Sequence, residues 1–334
     1  MLKIVHPVCC GIDVHKRFVF ACVASTDAKG IPAYKSSRFP TFTKGLRELK
    51  DWLRANACTD VCMESTGKYW IHVFNVLEDA CKITLAHPKY VKAIRGKKTD
   101  KKDAKWIADL FRHDLVAASF MPPLAIRQLR DLVRYRSKLI SLRSSESKRT
   151  QNCLTVSNIQ LSNVVSDTFG KSSTAIINRI LENPPGTAFD VAPLIHGSML
   201  PKVPELQLAI DGLITPEQAF KLGVIRQHYD SINECREKLE AFIRSLAEPY
   251  LAEQELIMTV PGIRDFSAIA IISEIGADMS AFPDAKHLCS WAGLVPTNNE
   301  SAGKKHSVRI SRRRLHQTAA RPVRQRSRCQ QKTP

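Results

Sequence analysis

The first third of the chain alternates short apolar segments with amphipathic ones, and this alternation predicts an α/β domain of about 115 residues. Polar residues interrupt the pattern at Asp13 and His15, near the start of the first apolar segment, and at Glu64, which ends a later one. The expected elements are a strand at 11–23, an extended partner at 34–39, a helix capped by Thr43, strands at 61–64 and 82–86, and helices at 68–80 and from Asp100.

The chain carries a large excess of positive charge, with 50 lysine and arginine residues against 32 acidic ones. The formal net charge of +18 favours a polyanionic partner, because each neutralised phosphate releases condensed counterions. No apolar run approaches the ~20 residues that a membrane span needs. The first residues also lack the layout of a signal peptide. We therefore expect a cytoplasmic protein without a membrane partner.

The ten cysteines occur singly or as the vicinal pair Cys9 and Cys10, with no Cys-x-x-Cys spacing. Reduced thiols, several of them in the core, are expected in that compartment. A zinc site formed by Cys58, Cys62 and Cys81 is disfavoured, because the closely spaced ligand pairs of such sites are missing.

Composition changes at Pro122 and Pro123, beyond which two long helical segments are predicted at 124–150 and 216–246. We expect them to form an antiparallel arm, with the region 183–204 as a connector. A compact, mainly helical region follows, and the basic segment after Ser311 contains no acid and is predicted to be disordered. The predicted division of the chain is 1–120, 121–250, 251–311 and 312–334.

Four carboxylates stand where the predicted elements could bring them together. Asp13 and Glu64 belong to strands of one sheet, whereas Asp100 and Asp103 are spaced i, i+3 at the start of a helix and point the same way. Hard oxygen ligands suit Mg²⁺ or Mn²⁺. Two such ions about 4 Å apart can activate a water or hydroxyl and stabilise the leaving oxygen of a phosphodiester. The four acids are therefore candidate metal ligands and catalytic residues.

Ordinary structural roles compete with this interpretation. Asp100 and Asp103 could cap a helix, and the lysines around them could form a solvated face. Asp13 is harder to explain in this way, because an acid within an apolar strand is costly unless it is paired or metal-bound. The basic residues predicted to contact nucleic acid are Lys97, Lys98, Lys101 and Lys102 beside the acids and Arg127, Arg130 and Arg134 on the first long helix.

Five motifs occur in a recognisable order along residues 8–310. They are GIDVHK at 11–16, MESTGKYW at 63–70, KTDKKDA at 98–104, VPGI at 260–263 and WAGLVPTNNESAGKK at 291–305. Together they resemble the IS110 family of transposases, in particular its IS1111 branch. The resemblance implies an N-terminal RuvC-like domain with a ribonuclease-H-like fold, then a coiled-coil arm and a mainly α C-terminal transposase domain. Its Asp-Glu-Asp-Asp set falls on Asp13, Glu64, Asp100 and Asp103, and its serine falls on Ser301.

The resemblance further implies a transposase that cleaves and rejoins DNA at the element ends and the target. The serine would form a covalent phosphoserine link, and the acid site with its Mg²⁺ would assist from the neighbouring subunit of a dimer or tetramer. A structured bridge RNA would pair with donor and target DNA. In the family the serine usually precedes a glycine, whereas here Ala302 stands between Ser301 and Gly303, ahead of the candidate nucleic-acid contacts Lys304 and Lys305.

The motif VPGI, followed by Ala268, resembles the hairpin of a helix-hairpin-helix, in which backbone amides near Gly262 can meet a phosphate. A buried turn between two helices is equally consistent with it. The segment GKSS at 170–173 does not complete a phosphate-binding loop, because Val165 stands where the first glycine is required.

After Ser311 the sequence departs from the family pattern. We hypothesise that the reading frame has shifted there, which would replace the final helices with unrelated sequence and inactivate this copy. An apolar helical continuation in another frame downstream of the Ser311 codon would support the hypothesis.

Two other functions stay open. One is a RuvC-type structure-specific endonuclease that uses the same acids without serine chemistry. The other is a nucleic-acid-binding protein without catalysis. An actin-like ATPase is disfavoured, because no adenosine-binding glycine motif follows the first strand.

Overall fold

The chain forms two compact units, Met1–Met121 and Pro122–Pro334. The computed structural model describes residues 2–65, 67–87, 91, 99–182, 189–295, 300–301 and 304–305. For Ser198, Glu300, Ser301, Lys304 and Lys305 the description concerns the backbone alone. Lys97, Lys98 and the segment 312–334 lie outside the described residues.

A five-stranded sheet with the order β3-β2-β1-β4-β5 organises the first unit. β1, β2 and β3 are antiparallel neighbours, whereas β1, β4 and β5 run parallel. This order with these directions is that of the ribonuclease-H-like fold, so the predicted fold class is confirmed. The elements are β1 (Val8–Val14), β2 (Phe18–Thr26), β3 (Pro32–Pro40), α1 (Thr43–Ala55), β4 (Asp60–Glu64), α2 (Trp70–Leu77), β5 (Lys82–Ala86) and α3 (Asp100–Arg112).

Two local predictions in this unit were wrong. The segment 11–23 is not one strand, because β1 ends at Val14 and the backbone amide of His15 donates to the carbonyl of Phe18 in a tight turn. Three consecutive polar residues occupy that turn, which suits solvent better than the middle of a strand. Thr43 is the first residue of α1, whose N-cap is Phe42 without a side-chain hydrogen bond.

Side-chain alternation along β1 separates the two faces of the sheet. Cys10, Ile12 and Val14 pack in a core with residues of α1 and α2. Cys9 packs on the opposite face, with residues of α3. On that face a Cβ at Gly11 would overlap the carbonyl O of Ala104 and the amide N of Ala108, and it would lie 3.0 Å from Ala108 Cα. Only a glycine therefore lets α3 lie this close to β1.

The six described cysteines of the first unit are buried and free of disulfides. Burial raises the pKa of Cys9, Cys58 and Cys62 to about 12. We expect these thiols to resist a thiol-specific reagent at pH 8, whereas the exposed Cys235 reacts at once. Because the folded state disfavours these thiolates, the first unit should lose stability as pH rises from 9.0 toward about 12.

The measurement is a colorimetric thiol titration, with and without denaturant, together with unfolding curves across that pH range. The matched control is the variant Cys235→Ser, which should remove one thiol from the fast phase and leave the protected thiols unchanged. Rapid native modification of the buried thiols would contradict the expected protection.

Two long antiparallel helices dominate the second unit. They are α4 (Leu124–Val156) and α8 (Pro216–Ala247). The direction follows from their contacts, because Arg136 Nε lies 2.6 Å from Glu240 Oε1 while Glu146 Oε1, further along α4, lies 2.9 Å from His228 Nδ1. The order of the partners is thus reversed along α8. Leu129 and Val133 pack in one core with Ile243 and Ala247 of α8 and with Ile269.

The connector between the long helices contains helices of its own. These are α5 (Leu161–Val164), α6 (Lys171–Glu182) and α7 (Val203–Ala209). Their apolar side chains pack in a separate core with the end of α4 and the start of α8. This core was not predicted from the sequence, because α5 and α7, with 4 and 7 residues, are too short to give a clear periodic signal.

The final elements are α9 (Leu251–Met258), α10 (Asp265–Ile275) and α11 (Ala285–Ala292), followed by the antiparallel pairs Glu300 with Lys305 and Ser301 with Lys304. None of the helices in the described part of the chain combines the length and the apolar character required to cross a bilayer.

Candidate metal-binding site

Asp13 and Glu64 lie on the same face of the sheet, on neighbouring parallel strands. Ile12 of β1 aligns with Met63 of β4, and both side chains are buried in the core with α1 and α2. Because successive side chains of a strand point to opposite faces, the next residue on each strand faces the other way, toward α3. The two carboxylates predicted from separate motifs are therefore adjacent.

The first turn of α3 adds two more acids on this face. Asp100 and Asp103 are the acidic residues of that turn, and the side chain of Thr99 caps the helix by accepting from the amide of Lys102. Acidic side chains are favoured there by the positive end of the helix dipole. The close approach of α3 to Gly11 brings this turn to the strand that carries Asp13.

The electrostatics of Asp13 place its carboxylate within reach of the charges of the other three acids. Its side chain is 16% exposed. Burial is the main cause that raises the pKa of Asp13 above its usual value. The nearby imidazole of His15 opposes the shift, whereas the negative charges of Asp103, Asp100 and Glu64 add to it. Converging carboxylates on a partly desolvated site fit a divalent cation, which would remove their mutual repulsion.

His15 was not among the predicted site residues, yet it lies between two of the acids. Its Nε2 is 3.1 Å from Asp13 Oδ2 and 3.3 Å from Asp100 Oδ1. One ligand atom from each of the three residues lies within 4.8 Å of the others, which is a spacing that a metal ion can bridge. The signal available in the sequence was the second polar interruption of the first apolar segment.

The predicted basic contacts have different surroundings. Lys101 and Lys102 are exposed on the first turn of α3, beside the acids. On α4, by contrast, Arg130 donates from Nε to the carbonyl of Ser273 at 2.9 Å and from Nη2 to that of Glu274 at 2.7 Å. Arg134 donates to both carboxylate oxygens of Glu274, at 2.8 and 2.7 Å.

These contacts assign Arg130 and Arg134 to the packing of the second unit. Glu274 is 2% exposed, and the two carbonyls that Arg130 binds belong to the last turn of α10. Burial lowers the pKa of Arg130 to about 10, against the opposing effect of the Glu274 charge. These donors are held by acceptors within the second unit, so the predicted nucleic-acid contacts of Arg130 and Arg134 would require these bonds to be exchanged for bonds to phosphates. Arg127 lies one turn earlier on α4 and is half-buried.

The hairpin around Gly262 is exposed rather than buried. It joins α9 to α10, Gly262 has a φ of 90°, and Val260 is 51% exposed. A positive φ of this kind favours glycine. Ser301 and Lys304 are paired across two short strands of the second unit, and Lys305 is paired with Glu300. The acids thus belong to the first unit and Ser301 belongs to the second.

Two family models match the sequence of this chain. Residues 10–159 match the DEDD transposase model of IS110, and residues 254–333 match a second model described as Transposase IS116/IS110/IS902 family. The two matches cover about two thirds of the chain. The second match runs through 312–333, which speaks against the hypothesis that this segment is unrelated sequence.

Two relatives come from Streptomyces coelicolor. An uncharacterized protein of insertion element IS110 is 33% identical over 82 residues, which are 25% of this chain and 20% of that protein. A protein of the mini-circle element IS117 is 39% identical over 57 residues, or 17% of this chain and 14% of that protein. The chain thus matches a fifth or less of the length of these relatives.

Among solved structures, RuvC of Thermus thermophilus is similar with a TM-score of 0.28 and 13% identity, over 34% of this chain and 99% of that one. The assignment itself comes from the two family models, which match this chain at both ends of the predicted motif series. The chain belongs to the IS110 family of transposases.

Proposed function

We propose that this protein is a transposase that cleaves and rejoins DNA with a divalent metal site formed by Asp13, Glu64, Asp100 and Asp103. The observation that carries the proposal is the placement of Asp13 and Glu64 side by side on parallel strands, facing the helix that begins with the other two acids. Membership of the family supplies the substrate class. The excess of positive charge agrees with a nucleic-acid partner.

Each acid has a distinct part in this site. The side chain of Asp13 is 16% exposed against 47% for Asp100, so we expect Asp13 to be the ligand that fixes the position of the ion. Glu64 is held by the neighbouring strand, and Asp100 and Asp103 close the site from α3. A bound Mg²⁺ or Mn²⁺ would stabilise the negative charge that develops on a phosphodiester during cleavage. Lys101 and Lys102 would hold the DNA backbone next to the acids, together with Lys97 and Lys98.

The finer part of the proposal concerns strand exchange. Ser301 would attack a phosphodiester, forming a serine–phosphate bond as the strand breaks and leaves a hydroxyl end, and the reverse reaction would rejoin the strands. Lys304 and Lys305, on the strand paired with that of Ser301, would contact the DNA backbone, as would the hairpin at Gly262. We further propose a bridge RNA as guide, a dimer or tetramer as the active form, membership of the IS1111 branch, and a cytoplasmic, nucleoid-associated location.

Cleavage of DNA that carries the element ends tests the metal site. With Mg²⁺ or Mn²⁺ and the transcript of the element's non-coding end, the wild type should cleave this DNA. Asp13→Asn should slow cleavage by roughly 10³-fold, because several kcal/mol of charge stabilisation would be lost. The control variant Asp79→Asn removes an exposed acid that pairs with Lys50, and it should cleave at the wild-type rate.

The role of the serine is tested with labelled DNA on a denaturing protein gel. Ser301→Ala should abolish the covalent adduct and strand exchange. If this variant keeps full cleavage and the wild type forms no adduct, the protein is a RuvC-type endonuclease. If no variant cleaves although all bind DNA equally, the protein is a non-catalytic binder and the proposed function is wrong.

A further inference from the structure

The turn between β1 and β2 presents an imidazole to the acid cluster. His15 follows β1 directly, and its backbone amide donates to the carbonyl of Phe18 at 3.0 Å. Its ring rests against the ring of Phe18 with the centroids 4.7 Å apart, and the guanidinium of Arg38 lies 3.7 Å from the centroid of the same Phe18 ring. The imidazole is therefore oriented by the turn and by packing, independently of the acids.

Among the residues that the structure describes, the Nε2 atom of His15 has no hydrogen-bond partner. It is buried, and neither of the nearby carboxylate oxygens meets the geometry of a hydrogen bond with it, although both lie within 3.3 Å. A buried nitrogen without a hydrogen bond is unfavourable and calls for another partner. The atom faces Asp13 and Asp100, so the partner that this position offers is a cation shared with them.

The distances fit coordination. Two ligand atoms that bind the same ion at right angles, each about 2.1 Å from it, lie about 3.0 Å apart. The observed separations of Nε2 from the two oxygens, 3.1 and 3.3 Å, are close to this value. A side-chain shift of 0.1 to 0.3 Å, the difference from about 3.0 Å, would bring these two separations to that value.

We propose that His15 is a nitrogen ligand of the divalent ion held by Asp13 and Asp100, and that it makes the site prefer Mn²⁺ to Mg²⁺. Imidazole is a favourable ligand for transition metals, whereas Mg²⁺ prefers oxygen ligands and keeps several waters. The inference rests on the proposed metal site and adds to it one ligand and the preference between metals.

Direct binding of the metal to the full-length chain tests the inference without reference to activity. Separate calorimetric titrations with Mn²⁺ and with Mg²⁺ measure the two dissociation constants. For the wild type, the dissociation constant of Mn²⁺ should be at least about tenfold lower than that of Mg²⁺. His15→Ala should weaken Mn²⁺ binding by about tenfold or more and change Mg²⁺ binding by less than about twofold. His15→Asn, which keeps a polar side chain, should behave in the same way.

His287→Ala is the matched control. Its Nδ1 lies 2.8 Å from Asp284, and within the described part of the chain no second acid forms an ion pair with this ring. This variant should bind both metals like the wild type.

Pulsed electron paramagnetic resonance of Mn²⁺ on the wild type supplies a measurement that needs no variant to fold. A coordinated imidazole gives a ¹⁴N coupling, which should be present in the wild type and absent in His15→Ala. A wild-type spectrum without ¹⁴N coupling overturns the role of His15. Unchanged Mn²⁺ affinity in both His15 variants also overturns the role of His15 as a ligand. If Asp13→Asn abolishes Mn²⁺ binding in that case, the proposed metal site of the acids is retained. If the wild type binds neither ion, the proposed metal site itself fails.

Discussion

Replacing Gly11 with alanine should destabilise the first unit by about 3 kcal/mol, because a methyl group there would overlap the backbone of Ala104 and Ala108. Backbone atoms inside a helix cannot move aside singly, so α3 must shift away from β1 as a whole. That shift carries Asp100 and Asp103 away from Asp13. Because a misplacement of about 1 Å can slow catalysis by roughly 10²-fold, metal binding and DNA cleavage should fall together.

The comparison is with Gly223→Ala, in the interior of α8. A Cβ at Gly223 meets nothing within 4 Å, so this change should stabilise the protein by about 0.5 to 1 kcal/mol through helix propensity. Calorimetric unfolding of both variants measures the two opposite effects. A Gly11→Ala protein with wild-type stability and metal affinity would falsify the close packing of α3 on β1.

The substitution Glu274→Gln should cost about 3 kcal/mol in the second unit. Glu274 is almost fully buried and accepts a bidentate contact from Arg134, while Arg130 binds backbone carbonyls at the same helix end. Removal of the negative charge leaves two partly desolvated guanidinium groups without compensation, and breaking a buried pair in this way is costly. Urea unfolding followed by circular dichroism measures the loss.

Glu182→Gln provides the control for this charge effect. It removes the carboxylate of an exposed pair with Arg179, in which the side chains are 62% and 46% exposed. Such a pair contributes less than about 1 kcal/mol, so little change is expected. Equal destabilisation by the two glutamine variants would contradict the assignment of Glu274 as the buried centre of the charge cluster that it forms with Arg130 and Arg134.

Much of the first unit was predictable from hydrophobic pattern. The strands that end at Glu64 and Ala86, and the helix that begins at Asp100, occur where the pattern predicted them. The turn at His15 was missed because the apolar residues on both sides of it are equally β-prone, so the pattern did not reveal that the chain reverses there. Gly11 offered a usable signal, since a glycine inside an apolar strand often marks the close approach of another backbone.

The site was less predictable, because its residues come together only in the folded sheet. Separate motifs suggested the four acids. Arg130 and Arg134 were grouped with the nucleic-acid contacts because the sequence gives their charge and their helix but not the buried Glu274 that they bind. His15 was missed for the complementary reason, since its nearness to Asp100 depends on how α3 lies across the sheet.

The charge cluster at Glu274 also has a consequence for synthesis on the ribosome. Arg134 precedes its carboxylate partner by 140 residues, whereas every strand of the sheet lies within the first 121. At translation rates of about 5 to 20 residues per second, roughly 7 to 28 s pass between the synthesis of Arg134 and that of Glu274. The first unit can therefore fold first, because all strands of its sheet have been made. The two long helices cannot complete their packing until Glu274 has been synthesised.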